Sequence, residues 1–146
     1  MKTCLLDVNA FVALAWPNHI HHAPVMRWFA THHTDGWATC PLTESGFVRV
    51  SSNPLATSEA KSPAEALSLL REMVALPGHH FWHDDVSLAK ADLVDAAKLH
   101  GYRQVTDAHL LSLTIRRGGR LVTFDRGVRH LIPADTDDDD LVVLLD

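Results

Sequence analysis

Four acidic residues are spread along the 146-residue chain, each beside a boundary between secondary-structure elements. Asp7 and Asp125 each come directly after a short apolar run that predicts a core strand. Glu44 and Asp107 each lie in the first turn of a predicted helix. Acids at such positions meet at one edge of a parallel α/β sheet, in the crevice where open sheets place their ligands.

Each acid alone has an ordinary explanation. Asp is common in turns, and an acid in the first turn of a helix interacts favourably with the helix dipole, contributing about 0.3–1 kcal/mol. Four converging carboxylates, however, would raise one another's pKa values unless a cation compensated them. Oxygen ligands suit Mg²⁺ or Mn²⁺, and such an ion can activate water and neutralise a phosphoryl oxygen. The pattern therefore predicts a metal site that would let an acidic protein accept a polyanionic substrate.

Polar neighbours of the acids are candidates for supporting roles. Asn9 would orient a carboxylate or a water, and Thr106 and Thr123 each flank an acid and could supply hydrogen bonds to it. Arg126 is either a phosphate contact or a solvent-exposed cation in a turn. Further arginines could form a phosphate track or lie on solvated helix faces: Arg49, Arg103, Arg116 and Arg117.

The elements that must position these residues alternate between strands and helices. Apolar runs predict strands at residues 4–6, 37–40, 120–124 and 141–145, with a weaker strand at 80–82. Continuous rather than alternating apolar runs are typical of parallel sheets that are covered on both faces. The sequence predicts an α/β fold, a three-layer α/β/α sandwich with a central, mostly parallel sheet. No repeat or linker divides the chain, so one domain spanning residues 1–146 is expected.

Capping and periodicity signals place the helices. Ser62 and Glu65 form a capping-box pattern, and Thr43 is a plausible N-cap for the helix that contains the second acid. A helix is predicted over residues 87–100, and the acidic run at 137–140 is predicted to be a solvated loop.

The amino-acid composition limits the classes of protein to which the chain can belong. Hydrophobic residues make up 47% and charged residues 21%, which is ordinary for a soluble globular protein. The net charge of −5 excludes a generally basic nucleic-acid-binding surface but not a local basic patch. Cys4 and Cys40 show no metal-ligand spacing, and buried free thiols are expected. The longest apolar run, residues 10–16, is too short to span a bilayer. A soluble cytoplasmic protein that does not enter a membrane is expected.

The four acids and their neighbours resemble the ordered acidic motifs of PIN-domain nucleases. More narrowly, they resemble those of the VapC ribonuclease toxins of type II toxin–antitoxin modules. In chain order the motifs are Asp7-Val8-Asn9, Leu42-Thr43-Glu44-Ser45-Gly46-Phe47-Val48-Arg49-Val50, Thr106-Asp107-Ala108-His109-Leu110-Leu111 and Thr123-Phe124-Asp125-Arg126-Gly127. The resemblance covers residues 5 to about 131. Each motif alone is weak, and their order in a short chain carries the assignment.

The resemblance implies Mg²⁺- or Mn²⁺-dependent hydrolysis of RNA that leaves 5′-phosphate and 3′-hydroxyl ends. It also implies a homodimeric toxin, inhibited by a small cognate antitoxin, with the four acids at the C-terminal edge of the sheet. Asp7 and Asp107 are then the first choices as direct metal ligands. For Glu44 and Asp125, direct binding, binding through water and binding of a second ion stay open.

Two other functions fit parts of the sequence. Eleven histidines would allow a metal-independent ribonuclease that uses histidine acid–base chemistry. A non-catalytic PIN-like domain that docks a partner is the second alternative, and the presence of all four acids counts against it. Among the histidines, His22 and His109 could line the rim of the active site. Two histidine groups could in principle bind a transition metal, although neither has a recognised zinc spacing: His19, His21 and His22, and His79, His80 and His83.

Overall fold

The computed structural model describes residues 1–90 and 94–146. Five strands form one sheet: β1 (Cys4–Leu6), β2 (Trp37–Thr39), β3 (His79–Phe81), β4 (Arg120–Thr123) and β5 (Val142–Leu144). The helices are α1 (Val8–Ala15), α2 (His22–His32), α3 (Pro41–Ser51), α4 (Pro63–Val74), α5 (Val105–Arg117) and α6 (Asp138–Leu141). Short 3₁₀ turns lie at His33–Asp35, Ala96–Lys98, Tyr102–Gln104 and Arg126–Leu131.

The sheet has the order β3-β2-β1-β4-β5, and all four neighbouring pairs are parallel. Leu5 pairs with both Ala38 and Leu121, so β1 lies at the centre. Because Leu6 pairs with Val122, Asp7, the first residue after β1, lies beside Thr123, the last residue of β4. The register therefore brings the first acid next to the end of β4.

Hydrophobic clusters cover both faces of the sheet. Leu5 and Leu121 face a cluster that includes Leu111 of α5, whereas the neighbouring residues Leu6 and Val122 face a cluster that includes Phe11 of α1. Side chains of adjacent strand residues point to opposite faces, so a strand that is apolar at every position is buried on both. The predicted three-layer α/β/α fold is confirmed.

Most predicted elements are present with small changes in their bounds. The capping box of α4 is formed, with Glu65 N donating to Ser62 Oγ (3.1 Å) and Ser62 N donating to Glu65 Oε1 (3.0 Å). Cys4 and Cys40 are buried free thiols, as expected. Across residues 1–90 and 94–146, each helix is too short or too polar to cross a membrane.

The helix predicted over residues 87–100 is wrong for the described part of that segment. Its only helical turn there is the 3₁₀ turn at Ala96–Lys98, and residues 91–93 lie outside the described residues. Asp95 is extended and its carboxylate accepts from Ala97 N (2.9 Å). Val94 and Leu99 pack against the core on the α5 face of the sheet. Val94 and Leu99 hold this segment against the core, and these contacts do not require a continuous helix.

Two further boundaries differ from the prediction. Cys40, not Thr43, is the N-cap of α3, because Pro41 takes the first helical position, where its fixed φ is already suitable. Thr43 Oγ1 instead accepts from Cys40 N (3.0 Å) from within the first turn. The acidic run at 137–140 is not a plain loop, because α6 begins at Asp138 and ends at the buried residue Leu141.

Candidate active site

Three of the four predicted acids line one cavity at the carboxyl edge of the sheet. Asp7, Asp107 and Asp125 line this cavity, of about 370 Å³, which we call the acid cavity. They come from the end of β1, the first turn of α5 and the end of β4, so three elements that are distant in sequence supply them. The predicted convergence at this edge is thus present for these three residues.

Asp7 is held rigidly by backbone and side-chain hydrogen bonds. It is the N-cap of α1, and its Oδ1 accepts from Ala10 N (2.8 Å). Its Oδ2 accepts from the hydroxyl of Thr123 (2.6 Å), and only 6% of the residue is exposed. Burial is the largest effect on this carboxyl group and raises its pKa to about 6, although both hydrogen bonds act in the opposite direction. Asp7 therefore serves as a helix cap and also offers a buried carboxylate to the cavity.

Thr123 connects two of the acids. Its hydroxyl donates to Asp7 and accepts from Asp125 N (3.0 Å). Asp125 in turn caps the following 3₁₀ turn, since its Oδ1 accepts from Gly127 N (2.8 Å). One buried hydroxyl thus fixes the spacing between the ends of β1 and β4.

Asp107 is the acid whose charge is most strongly disfavoured. Burial raises its pKa first, the negative charge of Asp125 and a hydrogen bond between the two carboxyl groups raise it further, and Asp7 adds a smaller effect. The resulting pKa is about 7. A shared proton is the expected response of close carboxylates that lack a compensating cation.

The chemistry of this donor set fits a hard divalent cation. Three carboxylates supply oxygen ligands alone, as Mg²⁺ and Mn²⁺ prefer. Burial first, and then the negative charge of the neighbouring acids, raises the pKa values of Asp7 and Asp107, and a bound cation would oppose both effects. Within residues 1–90 and 94–146, no three His, Cys, Asp or Glu side chains lie close enough together to hold a metal ion as they stand. The carboxylates of the three acids would have to move closer together to hold one ion.

Glu44 follows β2 at the same edge but does not line the acid cavity. Its Oε2 accepts from the hydroxyl of Thr39 (2.6 Å). Thr39 Oγ1 also lies 2.7 Å from His79 Nε2. Because the Thr39 hydroxyl donates its proton to Glu44, it can only accept from His79, and Nε2 of His79 is therefore the donor. The Thr39–Glu44 bond holds the Glu44 carboxylate at the end of β2, outside the lining of the acid cavity.

The predicted supporting residues have different environments. Asn9 and Thr106 are exposed on the wall of the acid cavity, together with Arg49 and Arg103. Arg126 is not on that wall and lies 3.5 Å from the Asp146 carboxylate. The remaining two arginines of the predicted track bind elsewhere: Arg116 pairs with Asp85, and Arg117 donates to the carbonyl oxygen of His83.

The histidines predicted for the rim do not line the acid cavity. His22 Nδ1 lies 2.8 Å from the carbonyl oxygen of Ala13. His109 Nε2 lies 2.6 Å from Asp84 Oδ2, in a neighbouring and mainly apolar cavity. Thr106 lines both that cavity and the acid cavity. Neither the His109–Asp84 pair nor the Thr39–Glu44 bond has a sequence signal, because each joins residues from different elements.

The pKa of Asp107 predicts how the metal-free protein responds to Asp107→Asn. The folded state binds a proton at this carboxyl up to about pH 7, whereas the unfolded state releases it near its usual pKa of 3.8. The free energy of unfolding therefore falls as the pH rises through this window. Asn removes the charge, so the melting temperature in EDTA should rise by about 2–4 °C, on the order of 1 kcal/mol, at about pH 8. The gain should be smaller near pH 5.

Thermal unfolding at both pH values checks this prediction. Asp35→Asn is a matched control, because Asp35 precedes β2 and lies at the opposite edge of the sheet. An equal loss of stability at both pH values for Asp107→Asn would contradict the assigned repulsion.

Comparisons with known proteins identify the family to which the chain belongs. A family model described as PIN domain matches residues 4–131. The fold, the three acids at one sheet edge and this match place the chain among PIN-domain proteins.

Two related proteins give a narrower assignment within the class of PIN-domain proteins. Ribonuclease VapC38 of Mycobacterium tuberculosis is 59% identical over 124 residues, which is 85% of this chain and 86% of that protein. Ribonuclease VapC39 of the same species is 50% identical over 123 residues, which is 84% of this chain and 88% of that protein. The chain belongs to the VapC ribonuclease family.

A solved structure supports the fold independently. A chain of VapBC2 from Rickettsia felis, crystallised with a DNA fragment from its promoter, has a TM-score of 0.61 to this chain. The two chains are 10% identical, and the match covers 99% of each. A likeness at this identity establishes the shared architecture alone.

Proposed function

We propose that the chain is the toxin of a type II toxin–antitoxin module and hydrolyses RNA with the aid of Mg²⁺ or Mn²⁺. The proposed products carry 5′-phosphate and 3′-hydroxyl ends, and the proposed site of action is the cytoplasm. The observation that carries the proposal is the acid cavity, where Asp7, Asp107 and Asp125 converge from three elements. The family relatives named ribonucleases support an RNA substrate.

The proposed roles of the acids follow from their positions. Asp7 and Asp107 would hold the metal directly, and Asp125 would complete the negative wall of the cavity. When bound, the cation would supply charge stabilisation to the phosphoryl group and lower the pKa of a water. Thr123 would keep Asp7 and Asp125 at a fixed spacing through its two hydrogen bonds. Glu44 is proposed as a fourth acid that acts from the α3 side, where Thr39 holds it.

Polar groups on the cavity wall would position the substrate. Arg49 and Arg103 bring positive charge to the acid cavity, and a guanidinium group can bind two phosphate oxygens at once. Asn9 and Thr106 add exposed hydrogen-bonding groups that could contact a water or the substrate. Arg126 is proposed as an outer phosphate contact that would first release Asp146. A locally basic wall would allow a protein of net charge −5 to accept a polyanion.

Family membership supports two further parts of the proposal. A small cognate antitoxin would bind the chain and inhibit it, and two copies of the chain would form a homodimer. Both partners are proposed from the resemblance to VapC toxins. Size-exclusion chromatography with light scattering would measure the number of copies, and co-expression with any short reading frame found beside the gene would test for an antitoxin.

The experiment that tests the proposed chemistry maps the ends of the cleaved RNA. Hydrolysis assisted by a metal leaves a 5′-phosphate and does not need the 2′-hydroxyl of the cleaved nucleotide. We therefore expect a substrate with one 2′-deoxy nucleotide at the cleaved position to be cut at a similar rate. The histidine alternative requires that hydroxyl and leaves a cyclic phosphate. Cleavage that stops on the deoxy substrate and persists in EDTA would establish the alternative instead.

A further inference from the structure

A second cavity, of about 600 Å³, has a basic wall. We call it the basic cavity. No acidic side chain lines it within the described part of the chain. It is lined by Lys98, His100, Gln104, Arg129, His130 and Ile132.

Among the residues that the structure describes, neither cation of the basic cavity forms an ion pair with a carboxylate. Lys98 Nζ donates to the carbonyl oxygen of Ile132 (3.3 Å), which is a neutral acceptor. Arg129 is exposed, and within residues 1–90 and 94–146 its guanidinium group forms no ion pair. By contrast, Arg116, Arg120 and Arg126 each lie within 4 Å of a carboxylate. Two uncompensated cations in one cavity favour an anionic ligand.

The basic cavity adjoins the acid cavity through two short turns. Arg103 lines the acid cavity, and the next residue, Gln104, lines the basic cavity. Asp125 lines the acid cavity and caps the turn that carries Arg129. A chain bound in the acid cavity would therefore lie beside the same two turns that carry Gln104 and Arg129.

The donors of the basic cavity match a phosphodiester. A guanidinium group and an ammonium group both form charge-assisted hydrogen bonds to phosphate oxygens. His100 and His130 can each donate from a ring N–H in any protonation state. Gln104 Oε1 accepts from His100 N (2.6 Å) and Gly101 N (3.3 Å), so its remaining polar group is a donor. The side chains of the basic cavity thus present mainly hydrogen-bond donors to a ligand and few acceptors.

We propose that the basic cavity binds a backbone phosphate of the RNA substrate, distinct from the phosphate that is cleaved. This rests on the proposed function, since it assigns a second contact to the same RNA. RNA is favoured over an acidic protein segment because the neighbouring residues Arg103 and Gln104 line the acid cavity, where the substrate would be cut, and the basic cavity. The contact adds affinity and fixes the register of the strand, and it carries no sequence information.

The test compares two double variants for RNA binding in EDTA, where cleavage is suppressed. Lys98→Gln/Arg129→Gln removes both cations of the basic cavity. Arg27→Gln/Arg71→Gln removes the same charge from α2 and α4, where both arginines are exposed. The probe is a fluorescent single-stranded oligouridylate, which is suitable because phosphate contacts do not read sequence. Thermal unfolding shows that each variant is folded.

We expect the Lys98/Arg129 variant to bind the probe at least about fivefold more weakly than the parent at low salt. The slope of log affinity against log salt should fall by about 0.7 for one lost phosphate contact. The Arg27/Arg71 variant should stay close to the parent in both quantities. Equal losses in the two variants, or a parent that binds no probe, would overturn the proposal, and an acidic protein ligand would then be favoured.

The same proteins separate this inference from the proposed function. If the parent binds RNA through the basic cavity but cleaves none with Mg²⁺ or Mn²⁺, the proposed hydrolysis fails and the phosphate site stands. If the parent cleaves RNA and the Lys98/Arg129 variant binds like its control, the phosphate site fails and the hydrolysis stands.

Discussion

Replacement of Asp7 by Asn is expected to lower the rate of RNA cleavage by roughly a thousandfold. A metal ion contributes several kcal/mol of transition-state stabilisation, and each 1.36 kcal/mol corresponds to a factor of about ten in rate. Asn keeps the size of the side chain but removes the negative charge that would hold the cation. The expected loss is therefore about 4 kcal/mol, provided that the protein remains folded.

The structure explains why Asp7→Asn should remove the charge and keep the hydrogen bonds of this side chain. Asn and Asp are about equally good helix N-caps, so the bond from Ala10 N to position 7 can be kept. The amide of Asn can donate to Thr123 Oγ1, where the carboxylate of Asp7 accepts from it. Burial disfavours the charged form of Asp7, so the metal-free variant should be at least as stable as the parent.

Rates measured with Mg²⁺ under single-turnover conditions test this prediction, and melting temperatures show whether the fold is intact. Asp35→Asn provides the control, because it removes one carboxylate from the opposite edge of the sheet. Wild-type cleavage by the Asp7→Asn variant would remove Asp7 from the catalytic site and leave it a helix cap alone.

The parts of the fold that follow from local sequence were predictable. Apolar runs such as Cys4–Leu6 become central strands because every side chain must be buried, on one face or the other. Asp7 and Asp125 could be placed because each directly follows such a strand, and parallel strands end at the same edge. The Ser62–Glu65 capping box is another local signal, and it marks the start of α4 correctly.

Side-chain partners at the site could not be predicted, because they depend on packing between elements. Glu44 lies in α3 as expected, but its carboxylate accepts a hydrogen bond from Thr39. Which partner the carboxylate binds depends on side-chain rotamers. The basic cavity joins Lys98 to Arg129 from two separate 3₁₀ turns. The helix prediction at 87–100 failed because Val94 and Leu99 pack on the core from either side of a 3₁₀ turn, an arrangement that depends on tertiary packing.

Removal of the metal is expected to abolish RNA cleavage, and added Mg²⁺ or Mn²⁺ should restore it. The loss should equal or exceed the loss in Asp7→Asn, because the cation supplies the charge stabilisation that the acids alone cannot. The histidine alternative predicts full activity in EDTA, since His109 and Asp84 would need no metal to exchange protons. Cleavage assays in EDTA, with and without excess Mg²⁺, decide between the two.

Stability provides a readout of metal binding that does not depend on activity. A cation at about one hundred times its Kd stabilises the folded state by about 2.7 kcal/mol, which corresponds to a shift of about 5–10 °C in the melting temperature. The largest shift should occur above about pH 7, because protons compete with the metal for Asp7 and Asp107 at lower pH. Asp7→Asn and Asp107→Asn should each lose most of this shift, whereas Asp35→Asn should keep it. A shift of equal size in all three variants would place the bound ion outside the acid cavity. The repulsion among the three acids would then have to be relieved by protons alone, and cleavage at neutral pH would need another source of charge stabilisation.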